Sequence, residues 1–277
     1  MTLRPALPTD LPAILEMHTH SLPDHSHAIF THPFRQLHPE SFEEYTSSSP
    51  RKKLLSPSPN EYNIVITEDE KVVAWAFWRR SIGEIHSSKI EKYKSTSTAI
   101  SNGTETLESL IGGKEGAQTL AAYPSLSIPR QKLCNLHTLH DTVKYFSNDH
   151  YYLSHLLVLP SHKRKGYGTL LTLWGLHYAY EEKMPVYLTA SAEGERLYEK
   201  LGFKVIGERS LPSIEEMDVE DRRREEEILG KDVLAEQFRI ARPKMMVWES
   251  SDENSGVFGN KEFMEKIIAV PFGAPKE

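Results

Sequence analysis

The spacing of apolar residues changes several times along the chain, and each change marks an element. Leu3 to Pro5 reads as a short strand, and Thr9-Asp10 as the start of a helix with Pro12 in its first turn, where the missing N–H costs nothing. Leu11, Ile14, Leu15 and His18 follow at helical spacing. From Glu61 the period shortens. Tyr62, Ile64 and Ile66 alternate with Asn63 and Val65, Glu68-Asp69-Glu70 turns the chain, and Val72 to Trp78 runs apolar, which predicts a β-hairpin. Tyr151 to Leu159 is a strongly apolar strand closed by Pro160. Tyr167, Leu170, Leu171, Trp174 and Tyr178 then fall on one helix face. Pro185 to Thr189 is a further strand, Glu193 to Leu201 a short helix stopped by Gly202, and Phe203 to Ile206 another strand.

Between these patterned parts, residues 81–149 are rich in Ser, Thr, Lys and Gly in the first half and interrupted by Pro124 and Pro129 in the second. They read as a partly helical insertion. A charged segment over 213–240, containing Arg222-Arg223-Arg224-Glu225-Glu226-Glu227, predicts a solvated helix face. Met245 to Trp248 could close a sheet, and the remainder carries Val257-Phe258 and an apolar patch from Ile267 to Phe272. The expected organisation is one domain over 1–250 and a C-terminal tail over 251–277.

Composition removes several classes of function. No apolar run is long enough for a spanning helix, so no membrane partner is expected. The formal net charge of -6 disfavours binding to nucleic-acid phosphate. Residues 1–10 carry charge and two prolines but no apolar signal core, and Cys134 has no cysteine to pair with in the chain. Both point to a cytoplasmic protein. The sequon Asn102-Gly103-Thr104 then reads as chance.

Against the acidic balance, cations gather in one place. His162-Lys163-Arg164-Lys165 stands directly before Gly166-Tyr167-Gly168, after a buried strand and at the start of a helix. Backbone N–H groups at such a helix start are unobstructed by side chains and form an anion site, suited with three cations nearby to a pyrophosphate. Alternatively, the glycines permit a tight turn and the cations are solvated. Neither the dinucleotide fingerprint nor the P-loop is present, which disfavours a dehydrogenase or a kinase.

With the residues that follow, this loop resembles the GCN5-related N-acetyltransferase (GNAT) superfamily. The cofactor loop of that family has the form Gln/Arg-x-x-Gly-x-Gly/Ala after a long apolar strand, and Lys163 to Gly168 follow Leu156 to Pro160 here. The family's next signature, Asn-x-x-Ala-x-x-Leu-Tyr-x-x-x-Gly-Phe, is matched by Ser191 to Phe203, with Ser191 for Asn and Gly194 for Ala. The resemblance covers most of residues 1–80 and 150–208. It implies a mixed α/β fold with a central, mostly antiparallel, splayed sheet flanked by helices. It also implies acetyl-CoA as donor and direct attack of an amine on the thioester in a ternary complex.

The site residues follow from the same resemblance. Lys163, Arg164, Lys165, Gly166, Tyr167, Gly168 and Thr169 would hold the pyrophosphate, and the backbone of Leu157 and Val158 together with Ser191 would meet the pantetheine arm. Tyr198 would contact the sulfur and protonate the departing thiolate, or else serve only in packing. His150, beside Asp149, is the candidate base, with Tyr152 and Ser154 on its strand face and His155 opposite unless a bulge intervenes. Six histidines at 18, 20, 25, 27, 32 and 38 lack metal-site spacing, so no metal is expected. The resemblance places them with Phe30, Phe34 and Tyr45 along an acceptor groove. A small-molecule amine is the expected acceptor, for a monomer or homodimer. A protein lysine or N-terminal amine, or a non-catalytic CoA-binding module, is the alternative.

Overall fold

The structure, a computed structural model, describes residues 1–21, 26–83, 91–92, 94–96, 98–100, 110, 112–146, 149–239, 242–259 and 261–270. His25, the Asn102 sequon and Phe272 lie outside them. Seven strands form one sheet in the order β1-β2-β3-β4-β5-β7-β6. Their ranges are β1 Thr2–Pro5, β2 Glu61–Glu68, β3 Lys71–Ser81, β4 His150–Val158, β5 Val186–Ala190, β6 Lys204–Glu208 and β7 Lys244–Trp248. The β4–β5 pair is parallel and the others are antiparallel. The hairpin turns at Asp69 and Glu70, both with positive φ.

One face of the sheet packs on α6 (Tyr167–Glu181) and α7 (Ala192–Lys200). Leu170, Leu171 and Trp174 lie at its centre, each burial contributing about 1.5–3 kcal/mol. Helix α6 is buried beyond the single stripe expected of it, because the C-terminal segment covers its outer side. Trp174 Nε1 and Tyr178 Oη both donate to the Val270 carbonyl, at 3.2 and 2.7 Å, and Ile267 and Val270 join the core. Residues set apart in the sequence as a tail therefore roof this helix, including α10 (Lys261–Ile268).

The other face carries α1 (Leu11–Ser21) and α3 (Pro39–Leu55), which bury Val65, Trp75 and Phe77 against Ile14, Met17 and Leu54. This second layer is why β2 is buried along both faces and not only at its alternate positions. Helix α3 carries Pro50 and a run of serines, both poor for a helix interior, which hid it in the sequence. The described part of the insertion contains α4 (Gly113–Ala121) and α5 (Ile128–Tyr145). Helix α5 crosses to the β6 edge, where a Cβ on Gly207 would stand 2.3 Å from Tyr145 Oη.

The charged segment folds as α8 (Val219–Leu229) and α9 (Lys231–Gln237). Its face is not wholly solvated as expected. Glu225 is buried and receives Arg130 of α5 through Nε and Nη2, both at 2.7 Å, and also accepts from Ser127 Oγ. Arg130 is completely buried between the rings of Phe30 and Phe238. This pair joins the insertion, α2 (Ser26–Thr31) and the C-terminal helices.

Candidate active site

Two local features of β4 prepare the site. Register shifts between Phe77 and Trp78, leaving Ser154 as an extra residue opposite the Phe77–His155 and Trp78–Leu153 pairs. The parallel pairing with β5 stops at Leu153–Leu188, so the two strands part beyond it. Leu159 N–H donates to Val73 O at 2.9 Å. Alternation back along the ladder turns the backbone of Leu157 toward Trp75 and directs that of Val158 and Leu156 into the opening between β4 and β5.

At the C-terminal end of β4 the chain makes a single turn at Pro160–His162 and enters α6 with Arg164 at φ 68° and Gly166 at φ 86°. A positive φ at both residues folds the loop back over the helix N-terminus, whose first N–H groups have no intrahelical acceptor. The cations here are held by carboxylates. Lys163 Nζ lies 2.8 and 3.0 Å from the two Glu193 oxygens. Glu68 of the β2–β3 turn receives Lys165 Nζ at 3.1 Å, His162 Nε2 at 3.0 Å and Tyr167 Oη at 2.6 Å. That last bond raises the Tyr167 phenol to about 12 and, with Lys165, lowers the Glu68 carboxyl. Arg164 forms no ion pair among the described residues. A Cβ on Gly168 would stand 3.2 Å from Leu197 Cδ2, so this glycine serves the close approach of α6 to α7, not the space in front of the loop. Thr169 is half-buried in the first turn.

Helix α7 starts at Ser191, whose Oγ accepts from Gly194 N at 3.3 Å. Two turns on, Tyr198 is buried, edge-on to Phe203, and a Cβ on Gly194 would come within 2.9 Å of Tyr198 Cε2. Burial, and the neighbouring Tyr152 phenol, push the Tyr198 hydroxyl above the ordinary phenol range. It stays protonated throughout the neutral range.

On the sheet face opposite α6 and α7 lies a cleft of about 540 Å³. His150 and Tyr152 form its floor with Thr189, and Tyr152 Oη meets Thr189 Oγ1 at 3.2 Å where the strands part. His150 is 3% exposed and packs against Phe146 and Tyr187, at ring separations of 5.1 and 5.4 Å. Thr138, Asp141 and Thr142 of α5 cover the cleft from the insertion side. The bulge brings His155 onto the face of His150 and Tyr152, where it packs against Trp75, Phe77 and His18. The described N-terminal histidines and aromatics are not among the residues that line the cleft. Phe30 packs on Phe238, and His32 lies against Phe42 and Tyr45, its pKa lowered to about 4 by burial. Neither they nor Phe34 line the cleft. Among the described residues no group of three or more His, Cys, Asp or Glu side chains is placed to hold a metal, and no helix is long and apolar enough to cross a membrane.

A family model described as "Acetyltransferase (GNAT) family" matches residues 27–203. The chain belongs to the GNAT acetyltransferase family. An acetyltransferase from the fungus Stachybotrys chartarum is 38% identical over 56 residues, 20% of this chain and 24% of that relative. The match thus spans about a quarter of the relative's length. Two solved structures share the fold. One is described as histone acetyltransferase HPA2 and related acetyltransferase from Corynebacterium glutamicum, with TM-score 0.52 and 14% identity over 90% of this chain and 96% of that one. The other is the Drosophila melanogaster polyamine N-acetyltransferase that forms N-acetylagmatine, with TM-score 0.51 and 15% identity over 90% and 99%.

This GNAT chain has two cleft-lining residues that the sequence did not single out, Arg79 and Arg209. Arg79 follows the apolar stretch of β3 and looks like an ordinary strand end. Arg209 lies between β6 and the charged segment, where no periodicity marks it. Alternation from Trp75 through Phe77 does place Arg79 on the cleft face, so that signal was available.

Proposed function

We propose that this GNAT chain transfers an acetyl group from acetyl-CoA to a primary amine of a small molecule, by direct attack in a ternary complex. The observation that carries the reading is the Lys163–Gly168 loop at the N-terminus of α6, set beside the point where β4 and β5 part. The loop cations and the free N–H groups of Gly166 to Thr169 fit a pyrophosphate, and the opening offers the edge of an extended strand to the amide-bearing arm of CoA. Acetyl-CoA supplies an acyl group on a good leaving thiolate.

In this reading each residue has a limited task. Lys163 and Lys165 exchange their protein carboxylates, Glu193 and Glu68, for phosphate oxygens, and Arg164 adds a third cation. The backbone of Leu156 and Val158 pairs with the pantetheine, with Leu157 packing behind, and the N–H of the strand at the opening polarises the carbonyl. Ser191 holds the start of α7 so that Tyr198 faces the opening. His150, directly or through water, takes the proton the amine loses as its nitrogen bonds to the acyl carbon. Tyr198 donates its hydroxyl hydrogen bond to the sulfur, passing the proton as the C–S bond breaks. The amine loses one proton and the thiolate gains one, so the cycle balances.

A small acceptor is favoured because α5 covers the cleft and leaves room for a compact molecule. Tyr198→Phe is the test. The expected result is a fall in kcat of about a hundredfold with the Kd for acetyl-CoA held. Loss of acetyl-CoA affinity with kcat at saturation retained would make Tyr198 a packing residue.

A further inference from the structure

Resting on the transferase reading, we propose that the acceptor amine also carries an anionic group, a carboxylate or a phosphate ester, bound by Arg79 and Arg209. The cleft contains three arginines and two carboxylates, and their hydrogen bonds separate those already engaged from those able to receive a ligand. Arg80 is engaged: its Nε and Nη2 lie 2.7 and 2.8 Å from the Glu182 oxygens. Asp141 is engaged as well, since Oδ2 accepts from Ser210 N at 2.9 Å and Oδ1 from Ser210 Oγ at 2.7 Å. Glu61 Oε2 accepts from Ser58 N at 3.0 Å.

The other two guanidinium groups differ. Arg209 donates Nη2 to Thr138 Oγ1 at 3.0 Å and has no ion pair among the described residues. Arg79 stacks 5.0 Å from the centre of the Tyr152 ring and, among the described residues, makes neither a side-chain hydrogen bond nor an ion pair, although Glu61 is its partner in the strand register. Each guanidinium presents five N–H donors in a fixed plane, matched by the paired oxygens of a carboxylate or phosphate. Tyr152 fixes the plane of Arg79 from below and is itself fixed to Thr189 at the β4–β5 opening. The donor surplus thus lies beside the place where the amine must react. A second ammonium, as in a diamine, would meet these guanidinium groups, whereas an anion would complete them. This sets the chain apart from the polyamine acceptor named for the Drosophila neighbour.

Steady-state thiol release by the full chain tests the assignment with matched amines: β-alanine and 2-aminoethyl phosphate against propylamine and 1,4-diaminobutane. Calorimetry with acetyl-CoA runs in parallel. The expected result is a kcat/KM higher for one or both anionic amines, the two arms distinguishing carboxylate from phosphate. Arg79→Gln should narrow that preference about tenfold, the worth of one charge-assisted pair, and Arg79→Lys should restore part of it. Preference for propylamine or the diamine overturns the assignment while leaving the transferase reading in place. So does a lack of turnover of both anionic amines by a chain that binds acetyl-CoA. Failure to bind acetyl-CoA overturns both readings.

Discussion

Removing the charge of Glu225 tests how the insertion is held over the cleft. Arg130 has a fully buried side chain and that of Glu225 is 6% exposed, so neither has water to replace a lost partner. Glu225→Gln would leave a guanidinium whose remaining supports are the Phe30 carbonyl at 3.1 Å and the faces of Phe30 and Phe238. Breaking one side of a buried pair costs about 3–5 kcal/mol, and the retained carbonyl and ring contacts place this case near the lower end, about 3 kcal/mol. Arg130→Met strands the carboxylate with Ser127 as its partner and should cost about 3–5 kcal/mol. The double variant Arg130→Met/Glu225→Leu replaces the pair with apolar groups and should lie within about 2 kcal/mol of the parent. Urea denaturation of the parent and the three variants measures each of these differences. Because α5 covers the cleft, Glu225→Gln should also raise KM for the amine while the Kd for acetyl-CoA stays the same. Single variants that each cost less than about 1 kcal/mol would refute the argument, because that is the range of a solvent-screened pair.

Three further predictions come from other parts of the chain. Glu68→Gln and Glu193→Gln remove carboxylates that compete with phosphate for the loop cations, so each should tighten acetyl-CoA binding about threefold at low ionic strength, an effect lost in about 1 M salt. Unchanged or weaker calorimetric affinity would count against that competition. Gly194→Ala adds a methyl 2.9 Å from Tyr198 Cε2, so kcat should fall about tenfold although alanine favours a helix by about 1 kcal/mol; unchanged kcat would show that the ring position does not matter. Lys53, half-buried with its ammonium over the Phe77 ring, has its pKa lowered to about 8 by desolvation, with Arg79 adding to the effect. The unfolded chain then holds the extra proton between about pH 8 and pH 10, so this group adds stability as pH rises through that window and costs about 1–3 kcal/mol below it. Lys53→Met should stabilise the protein at pH 7 and flatten that rise in a urea-denaturation series, and a variant less stable at pH 7 would contradict this.

The parts of the fold written in local periodicity were legible in the sequence: the hairpin, β4, α6 and the loop between them. So was the pairing of that loop with the Ser191–Phe203 signature. What the sequence hid depends on contacts between distant residues. Val65 and Asn63 read as outward positions because α3, with Pro50 and its serines, did not read as the helix that covers them. Glu225 read as solvated because the burying partner, Arg130, is far away in the insertion. His155 changed faces through one extra residue, Ser154, and the reach of Gly168 toward Leu197 could not be separated from a phosphate-clearing role by composition. The cleft joins residues of β3, β4, β5, α5 and the segment after β6, so its outline appears only once the sheet order is known.

The central claim is that the Lys163–Gly168 loop and the β4–β5 opening hold acetyl-CoA for transfer to an amine. Calorimetric titration of the full chain with acetyl-CoA, followed by thiol release across small amines and basic peptides, tests it most directly. The account predicts saturable binding that weakens with salt and thiol release that depends on a small amine. Absence of binding, or binding with no thiol release under any amine, would contradict it.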